Sequence, residues 1–207
     1  MLAERLAQSS CRDVSRETSE AVAEFADQLA EANKSQNLIS KNSEADLIER
    51  HIVDGVQLLR HDTRRDAHWI DIGTGPGLPG LVIALVHEGP VTLIEPRALR
   101  VTFLNQMIAH FGLQQRVAVI AGKASAASVS GDVITGRAVA SLSKFIDLSH
   151  HLSTEKTRWI LPKGKKAMEE LEEAKRFWQL DVRVEDSLTD PYAKIVVIDR
   201  AKRRGRP

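Results

Sequence analysis

The chain has 207 residues, enough for one domain with a cap, which would bury roughly 70% of the surface of the unfolded chain. Hydrophobic residues make up 43% and charged residues 28% of the chain, a composition that excludes the disordered and fibrous classes. The formal net charge of +1 excludes binding of a nucleic acid through bulk charge alone, so such a partner would need a local basic patch.

A single cysteine, Cys11, excludes an internal disulfide framework and a cysteine-based metal cluster, and we expect no metal site. The first ten residues, MLAERLAQSS, lack the apolar core of a secretory signal peptide. The longest apolar run, at 78–86, is far shorter than a membrane span. We therefore expect a soluble, cytoplasmic monomer with no membrane partner.

Residues 1–66 contain one of the twelve glycines and none of the seven prolines, a composition that favours helices. One helix is predicted to begin between Ser15 and Ser19. Its apolar face consists of Val22, Phe25 and Leu29. A second helix is predicted by a capping box of Ser43 and Asp46. Its apolar stripe consists of Ile48, Ile52, Val56 and Leu59. We expect two or three helices that form a cap packed on the same domain.

Short strand-like runs alternate with helical patterns over residues 67–200, and a charged helix is expected from about Lys165 to Gln179. Such alternation predicts βαβ crossovers and a mainly parallel sheet, here of seven strands. A turn at 189–191 joins the last two strands, which are therefore expected to form an antiparallel hairpin at the end of the sheet. This is the α/β arrangement of the Rossmann-like class I methyltransferases. The remaining segment, 201–207, is predicted to be a basic flexible tail.

A glycine-dense turn, WIDIGTGPGLPG at 69–80, directly follows the first predicted strand. Without Cβ atoms, Gly73, Gly75 and Gly77 let the backbone turn sharply and approach a ligand closely. The amides at the start of the next helix can then face an anion. Residues 75–80 match the dinucleotide fingerprint G-x-G-x-x-G, whereas the pattern read from Asp71 is D-x-G-x-G-x-G, as in methyltransferases. A purely structural turn is the third interpretation.

Two features favour a methyltransferase over an NAD-dependent dehydrogenase. Asp71 lies just before the first glycine, where it could contact the cationic end of S-adenosylmethionine, which a pyrophosphate lacks. The third strand is followed by Gly122-Lys123-Ala124-Ser125, a segment suited to the edge of an adenine. Glu95, at the end of the second strand, could bind ribose hydroxyls in either class.

The motif IDIGTGPGLPG at 70–80 closely resembles the first motif of the RsmG (GidB) family. The resemblance continues in order and spacing through NLIS at 37–40, RHIVD at 50–54, RVTFL at 100–104, GRA at 136–138 and KG at 163–164. It covers about residues 37–164, with weaker similarity to the end of the chain.

This resemblance implies S-adenosylmethionine-dependent methylation of N7 of a guanine in 16S ribosomal RNA, the guanine at rRNA position 527. The implied partner is that RNA or a small-subunit ribosomal particle. The implied cofactor-site residues are Gly73, Leu78, Ala124, Ser125 and Arg137. Four positions depart from the usual family residues. Leu99 stands where lysine is usual, Ser125 where glutamate is common, and Gly55 and Gly136 where serine is usual.

The residues themselves agree with N7 as the methyl acceptor. Methylation of cytosine C5 needs a thiolate, and Cys11 lies far from the glycine turn in sequence. Methylation of exocyclic amines generally uses an Asn or Asp-Pro-Pro-aromatic segment, whereas TGRA at 135–138 follows the fourth strand. Guanine N7 has an in-plane lone pair and no proton to lose, so orientation and proximity could supply ~7–11 kcal/mol of the acceleration. We predict an in-line transfer without a general base.

Arg137, at the end of the fourth strand, is a candidate to orient guanine through O6 or N7, or else an arginine paired with a nearby carboxylate. His51 and Asp54, three residues apart on one helix face, form either a substrate site or a hydrogen-bonded structural set. Candidates for contact with RNA, or simply solvated charges, are Arg97, Arg100, Lys163, Lys165, Lys166, Arg203 and Arg204.

Three classes of function remain open. An RNA methyltransferase is favoured. A small-molecule methyltransferase would share the glycine turn but have little use for a basic tail. A binding protein that has lost catalysis would keep the fold without turnover.

Overall fold

The computed structural model describes residues 1–40, 44 and 46–205. Ser43, the first residue of the predicted capping box, and residues 206–207 of the predicted tail lie outside the described residues. Within the described ranges, no helix is both long and apolar enough to cross a membrane.

Two regular helices begin the chain: α1 spans Leu2–Ser10 and α2 spans Arg16–Gln36. Ser15 caps α2, because its hydroxyl accepts a hydrogen bond of 3.1 Å from the Thr18 amide. The predicted start of this helix is therefore confirmed. Its predicted apolar face, which begins with Val22, is fully buried.

A third helical segment follows over residues 48–61 and changes its helical type twice. It is π-helical over Ile48–Val53, α-helical over Asp54–Val56 and 3-10-helical over Gln57–His61. The predicted apolar stripe is buried at Ile52, Val56 and Leu59. The wide π-helical turns, which are frequent at functional sites, carry Arg50 and His51.

In the described residues seven strands form one sheet, in the order β3-β2-β1-β4-β5-β7-β6. The strands are β1 (Trp69–Ile72), β2 (Val91–Glu95), β3 (Val117–Ala121), β4 (Val133–Thr135), β5 (Arg158–Lys163), β6 (Trp178–Asp186) and β7 (Lys194–Arg203). β1 to β5 pair in parallel, and β7 runs antiparallel to β5 and β6. The mainly parallel sheet and its closing hairpin are thus confirmed.

Four helices cover the two faces of the sheet: α3 (Gly80–Val86), α4 (Ala98–His110), α5 (Leu142–Ser149) and α6 (Ala167–Phe177). α3 and α4 share one buried cluster with α2, in which Leu29, Leu81 and Leu104 pack together. α5 and α6 belong to the cluster on the other face. The strand order reverses between β1 and β4, and in such sheets ligands bind beside this reversal, at the carboxyl ends of the strands.

The predicted flexible tail is wrong for its first residues, because β7 continues to Arg203. β6 begins at Trp178, directly after α6, and its first residues supply backbone partners for the end of β7, with Trp178 opposite Arg203. The charged helix is correspondingly shorter than expected, since residues 178–179 belong to β6. Because β7 is antiparallel, Arg203 lies at the edge of the sheet opposite the carboxyl ends of β1 to β5.

Candidate active site

The turn after β1 has the backbone that its glycines predict. Gly73, Gly75 and Gly77 have φ angles of 67°, 61° and 99°, a left-handed region that side chains rarely adopt. A Cβ on Gly77 would lie 2.6 Å from the Cβ of Leu81, and one on Gly73 would lie 2.8 Å from Cγ2 of Val139. The close approaches at these two positions therefore require glycine.

Asp71 lies beneath this turn and is completely buried. Its Oδ2 accepts a hydrogen bond of 2.7 Å from the amide of Gly80, the first residue of α3. Burial raises the pKa of Asp71 to about 7, although the hydrogen bond from Gly80 opposes this effect. The carboxyl group thus holds the start of α3. Its expected contact with a cationic ligand stays a prediction.

Glu95 connects the end of β2 to the same turn. Its Oε2 accepts from the Gly75 amide and its Oε1 from the Arg97 amide, both at 2.9 Å. The guanidinium of Arg100 lies 3.8 Å from Oε2, and Glu95 is buried. Each carboxylate oxygen has a second lone pair, so Glu95 keeps the capacity to accept further hydrogen bonds.

A mainly apolar cavity of about 270 Å³, here called the cofactor cavity, opens beside the turn. It is lined by Ile72, Gly73, Ile94, Pro96, Gly122, Lys123, Ala124, Ser125, Val139 and Leu148. The structure thus brings Gly73, Ala124 and Ser125 together, as the sequence predicts. Val139 and Leu148 were missed because they follow β4, where no motif marks them. Gly75, Gly77, Leu78 and Glu95 lie in the turn and at the end of β2, outside this lining.

A second cavity of about 460 Å³, here called the acceptor cavity, is also bordered by the loop after β4. It is lined by Arg50, His51, Asp54, Arg137, Pro162, Lys163, Gly164, Thr189, Asp190, Pro191, Tyr192 and Ala193. Its residues come from the third helical segment and from the loops after β4, β5 and β6. The turn after β6 carries no sequence motif, and its contribution was missed.

Arg137 joins the acceptor cavity to the third helical segment. Its Nη1 donates to Oδ2 of Asp54 at 2.9 Å and to the Arg50 carbonyl at 3.0 Å. Its Nη2 lies 2.9 Å from Nδ1 of His51. The expected pairing of Arg137 with a carboxylate is therefore confirmed, and its expected contact with guanine stays a prediction. The resemblance placed Arg137 in the cofactor site, whereas it lines the acceptor cavity and not the cofactor cavity.

His51 is neutral in this setting. Burial and the charges of Arg137 and Arg50 lower the pKa of His51 to about 4. Because a guanidinium can only donate, Nδ1 of His51 is the acceptor and the ring proton sits on Nε2. Nε2 is buried and has no hydrogen-bond partner in the described part of the chain.

Asp54 extends the network to the turn between β6 and β7. Its Oδ1 accepts from Nε2 of Gln57 at 2.9 Å and from Oγ1 of Thr189 at 3.0 Å. Gln57 is fully buried, and its Oε1 accepts from the amide of Leu188 at 2.8 Å. Asp54 thus links three distant segments of the chain.

The basic residues predicted to contact RNA are spread over three regions. Lys163 lines the acceptor cavity but is engaged with the Ala140 carbonyl at 2.7 Å and with Glu170 at 3.0 Å. Exposed near this cavity are Arg50, Lys165 and Lys166, while Arg97 and Arg100 lie beside Glu95. Arg203 and Arg204 lie at the opposite edge of the sheet, where Arg203 is bonded to Asp147 and lies over the ring of Trp178.

The departures from the family pattern have different surroundings. Leu99 is exposed, and Ser125 lines the cofactor cavity. A Cβ on Gly55 would lie 3.2 Å from the Cβ of Pro79. One on Gly136 would lie 2.6 Å from Cε2 of Phe145, so a serine there would overlap the aromatic ring.

No group of three or more histidine, cysteine, aspartate or glutamate side chains that could hold a metal ion occurs within the described ranges. The polar side chains that line the acceptor cavity include the guanidinium of Arg137, the neutral imidazole of His51 and the carboxylate of Asp54.

Several solved structures with similar folds are described as S-adenosylmethionine-dependent methyltransferases or as complexes with S-adenosylmethionine. One, a variant of MtNAS in complex with S-adenosylmethionine, has a TM-score of 0.61 and 18% identity over 90% of this chain and 80% of that one. Another, a TehB-like SAM-dependent methyltransferase from Corynebacterium glutamicum, has a TM-score of 0.57 and 15% identity over 82% and 97%. At these identities the likeness shows the Rossmann-like class I methyltransferase fold.

Sequence comparison is more specific. A family model described as GidB, rRNA small subunit methyltransferase G, matches residues 18–196. Ribosomal RNA small subunit methyltransferase G of Sphingopyxis alaskensis is 42% identical over 84% of this chain and 75% of its own length. The protein of the same name from Erythrobacter litoralis is 42% identical over 82% of both chains. The chain therefore belongs to the GidB family of rRNA small subunit methyltransferases.

Proposed function

We propose that this enzyme transfers the methyl group of S-adenosylmethionine to N7 of a guanine in 16S rRNA, between its cofactor and acceptor cavities. The observation that carries the assignment is the loop after β4. Arg137 lines the acceptor cavity, and Val139, two residues later, lines the cofactor cavity. A methyl donor in one cavity and a base in the other would meet across this loop.

The residues of the glycine turn fit the cofactor. A Cβ on Gly73 or Gly77 would overlap Val139 or Leu81, so glycine lets the turn pack closely on these side chains. At Gly75 a Cβ would lie 3.6 Å from Nη1 of Arg100, so a ligand can approach the backbone there. Ala124 and Ser125 would contact the adenine, and Glu95 would accept hydrogen bonds from the ribose. The Gly75 and Leu78 segment would face the amino-acid end, with Asp71 below it. When bound, S-adenosylmethionine supplies an electrophilic methyl group on a sulfonium centre.

The acceptor cavity suits a neutral nucleophile that needs orientation. The N7 lone pair attacks the methyl carbon as the carbon–sulfur bond breaks, and no proton leaves the base. Arg137 is charged and keeps N–H donors on Nε and Nη2 for guanine O6 or for a phosphate. Nδ1 of His51 accepts from Nη2 of Arg137 and so fixes the orientation of the guanidinium. Orientation by these groups replaces a general base.

We further propose how the chain is organised around this reaction. Residues 1–66 form the cap, which supplies His51 and Asp54, and the sheet with its helices holds the cofactor. RNA approaches the face that carries Arg50, Lys165 and Lys166, with Arg97 and Arg100 beside the cofactor cavity. Arg203 and Arg204 touch only RNA that reaches the opposite edge. The enzyme acts as a cytoplasmic monomer on 16S rRNA or on a small-subunit particle.

The test is to map methylated nucleosides by mass spectrometry in 16S rRNA from cells with and without this protein. We expect one N7-methylguanosine to disappear and to return with the wild-type chain but not with Gly75→Val. Because N7 methylation leaves a positive charge on the base, the modified nucleotide should be cleaved by reduction and aniline. An uncleaved, methylated nucleotide would show another acceptor atom.

Calorimetry separates the cofactor classes. Purified protein should bind S-adenosylmethionine or its demethylated product and should not bind NAD. Binding of NAD alone would favour the dehydrogenase interpretation of the glycine turn.

A further inference from the structure

One wall of the acceptor cavity is formed by the turn between β6 and β7, residues 187–193, here called the hairpin turn. It carries Tyr192, the only tyrosine of the chain. The side chain of Tyr192 is 76% exposed and makes no hydrogen bond or ring contact with the residues that the structure describes. An aromatic ring thus lies at the rim of the cavity, and its exposed face is open to a ligand.

The hairpin turn is held firmly despite its exposure. The Leu188 amide donates to the buried Gln57 at 2.8 Å, and the Thr189 hydroxyl donates to Asp54 at 3.0 Å. Within the turn, the Tyr192 amide donates to Oδ1 of Asp190 at 2.8 Å. These bonds fix the backbone that carries the ring, so presenting Tyr192 costs little conformational entropy on binding.

The same carboxylate that anchors this turn also holds Arg137. Asp54 accepts from Thr189 through Oδ1 and from Arg137 through Oδ2. The aromatic ring and the guanidinium therefore stand on one hydrogen-bonded frame, and both line the cavity of about 460 Å³. Planar bases that are unstacked from RNA are typically held between an aromatic face and hydrogen-bond donors to their edges.

We propose that Tyr192 stacks on the acceptor guanine and holds it, unstacked from its neighbours in the RNA, with its N7 edge towards Arg137. The inference rests on the proposed function, since it assumes that a nucleobase occupies the acceptor cavity. The ring supplies a face rather than a proton, so the phenol hydroxyl is not required. Stacking of this kind is worth about one to two orders of magnitude in binding.

The test compares three variants of the full-length enzyme in single-turnover methylation of 16S rRNA. Tyr192→Ala removes the ring, and Tyr192→Phe keeps it without the hydroxyl. Leu188→Ala is the matched control, because Leu188 is an exposed apolar residue of the same turn that does not line the cavity. The readouts are the half-saturating RNA concentration, the maximal rate and the affinity for S-adenosylmethionine measured by calorimetry.

We expect Tyr192→Ala to raise the half-saturating RNA concentration about tenfold or more, with S-adenosylmethionine affinity unchanged. Tyr192→Phe and Leu188→Ala should stay close to wild type. Wild-type behaviour of Tyr192→Ala would overturn the inference, as would an equal loss in Tyr192→Phe or in Leu188→Ala. A wild-type enzyme that makes no N7-methylguanosine would instead overturn the proposed function.

Discussion

Arg137 and Asp54 are 83 residues apart in the chain and form an ion pair with a nitrogen–oxygen distance of 2.9 Å at the carboxyl edge of the sheet. The pair is largely shielded, with side-chain exposures of 22% and 16%. Because Asp54 also holds the Thr189 hydroxyl, this contact fixes the Arg137 side chain between the cap and the hairpin turn.

Replacing Arg137 by alanine should therefore damage methyl transfer far more than folding. We expect a loss of about a hundredfold or more in the single-turnover rate, because substrate orientation is lost. The cost in stability should be only about 1 kcal/mol, since Asp54 keeps its hydrogen bonds from Gln57 and Thr189. Arg137→Lys, which keeps the charge without the planar fork, is the matched control and should recover little activity. Urea unfolding of each variant provides the comparison, and parallel losses of stability and rate would indicate a structural arginine.

Protonation of His51 should not change the single-turnover methylation rate between about pH 6 and 9, because the pKa of His51 is lowered to about 4. The folded protein disfavours the protonated ring, so the contribution of His51 to stability is complete above its ordinary pKa of 6.5. That contribution is lost as the pH falls towards 4. His51→Gln should therefore unfold with a weaker dependence on pH between 6.5 and 4 than wild type, while His61, which has a similarly lowered pKa, is unchanged in the variant. A rate that falls below pH 6.5 and is restored by His51→Gln would assign His51 a role in the chemistry.

Asp71→Asn separates two roles of this carboxyl group, which are the hydrogen bond to the start of α3 and the predicted contact with the cationic end of S-adenosylmethionine. Burial raises its pKa from the ordinary 3.8 to about 7, so its contribution to stability is lost as the pH rises through that range. An amide oxygen can still accept from Gly80 without carrying a charge. The variant should therefore gain stability relative to wild type between pH 5 and pH 8 in urea unfolding. Asp71→Ala, which leaves the Gly80 amide without an acceptor, should lose about 1–3 kcal/mol. If Asp71→Asn stays folded but loses affinity for S-adenosylmethionine, the predicted contact with the cationic end is supported instead.

Serine should have unequal effects on stability at Gly55 and Gly136, the two glycines that stand where the family usually has serine. At Gly136 the new Cβ would lie 2.6 Å from the Phe145 ring and 2.7 Å from the Ile72 carbonyl, which is backbone and cannot move aside. Gly136→Ser should cost about 1–3 kcal/mol. Gly55→Ser, whose Cβ would lie 3.2 Å from Pro79, should cost less. Thermal unfolding of both variants tests this order, and the reverse order would contradict the packing seen around Gly136.

The salt dependence of RNA binding should locate the RNA face. Lys165→Ala with Lys166→Ala should flatten the slope of log affinity against log salt by about one unit for each phosphate that the variant no longer neutralises. Lys202→Ala with Arg204→Ala is the matched pair at the opposite edge and should change the slope less. Truncation after Asp199 is unsuitable as a test, because it would remove paired residues of β7. A larger effect from the second pair would place the RNA on the opposite edge.

Much of the fold could be predicted because its determinants are local. The turn at 73–77 depends on glycines that are close together in the chain, and the start of α2 depends on Ser15 and Thr18. The parallel sheet follows from the alternation of short strands and helices, and the closing hairpin from a turn without an intervening helix. For the same reason Gly73, Ala124 and Ser125 could be assigned to one cavity, since loops after parallel strands meet at one edge.

The fold class, the family and the motif residues of the cofactor cavity thus follow from local patterns in the chain. The partners of the polar residues depend instead on tertiary packing. No local pattern predicts that Asp54 holds both Arg137 and Thr189, that Tyr192 stands at the acceptor cavity, or that β6 pairs with residues 201–203. These contacts join segments far apart in the chain, and their geometry depends on how the cap and the hairpin pack against the sheet. These contacts form because buried polar groups need hydrogen-bond partners in the folded state. The two partners of each contact lie in different segments, so no short stretch of sequence contains both.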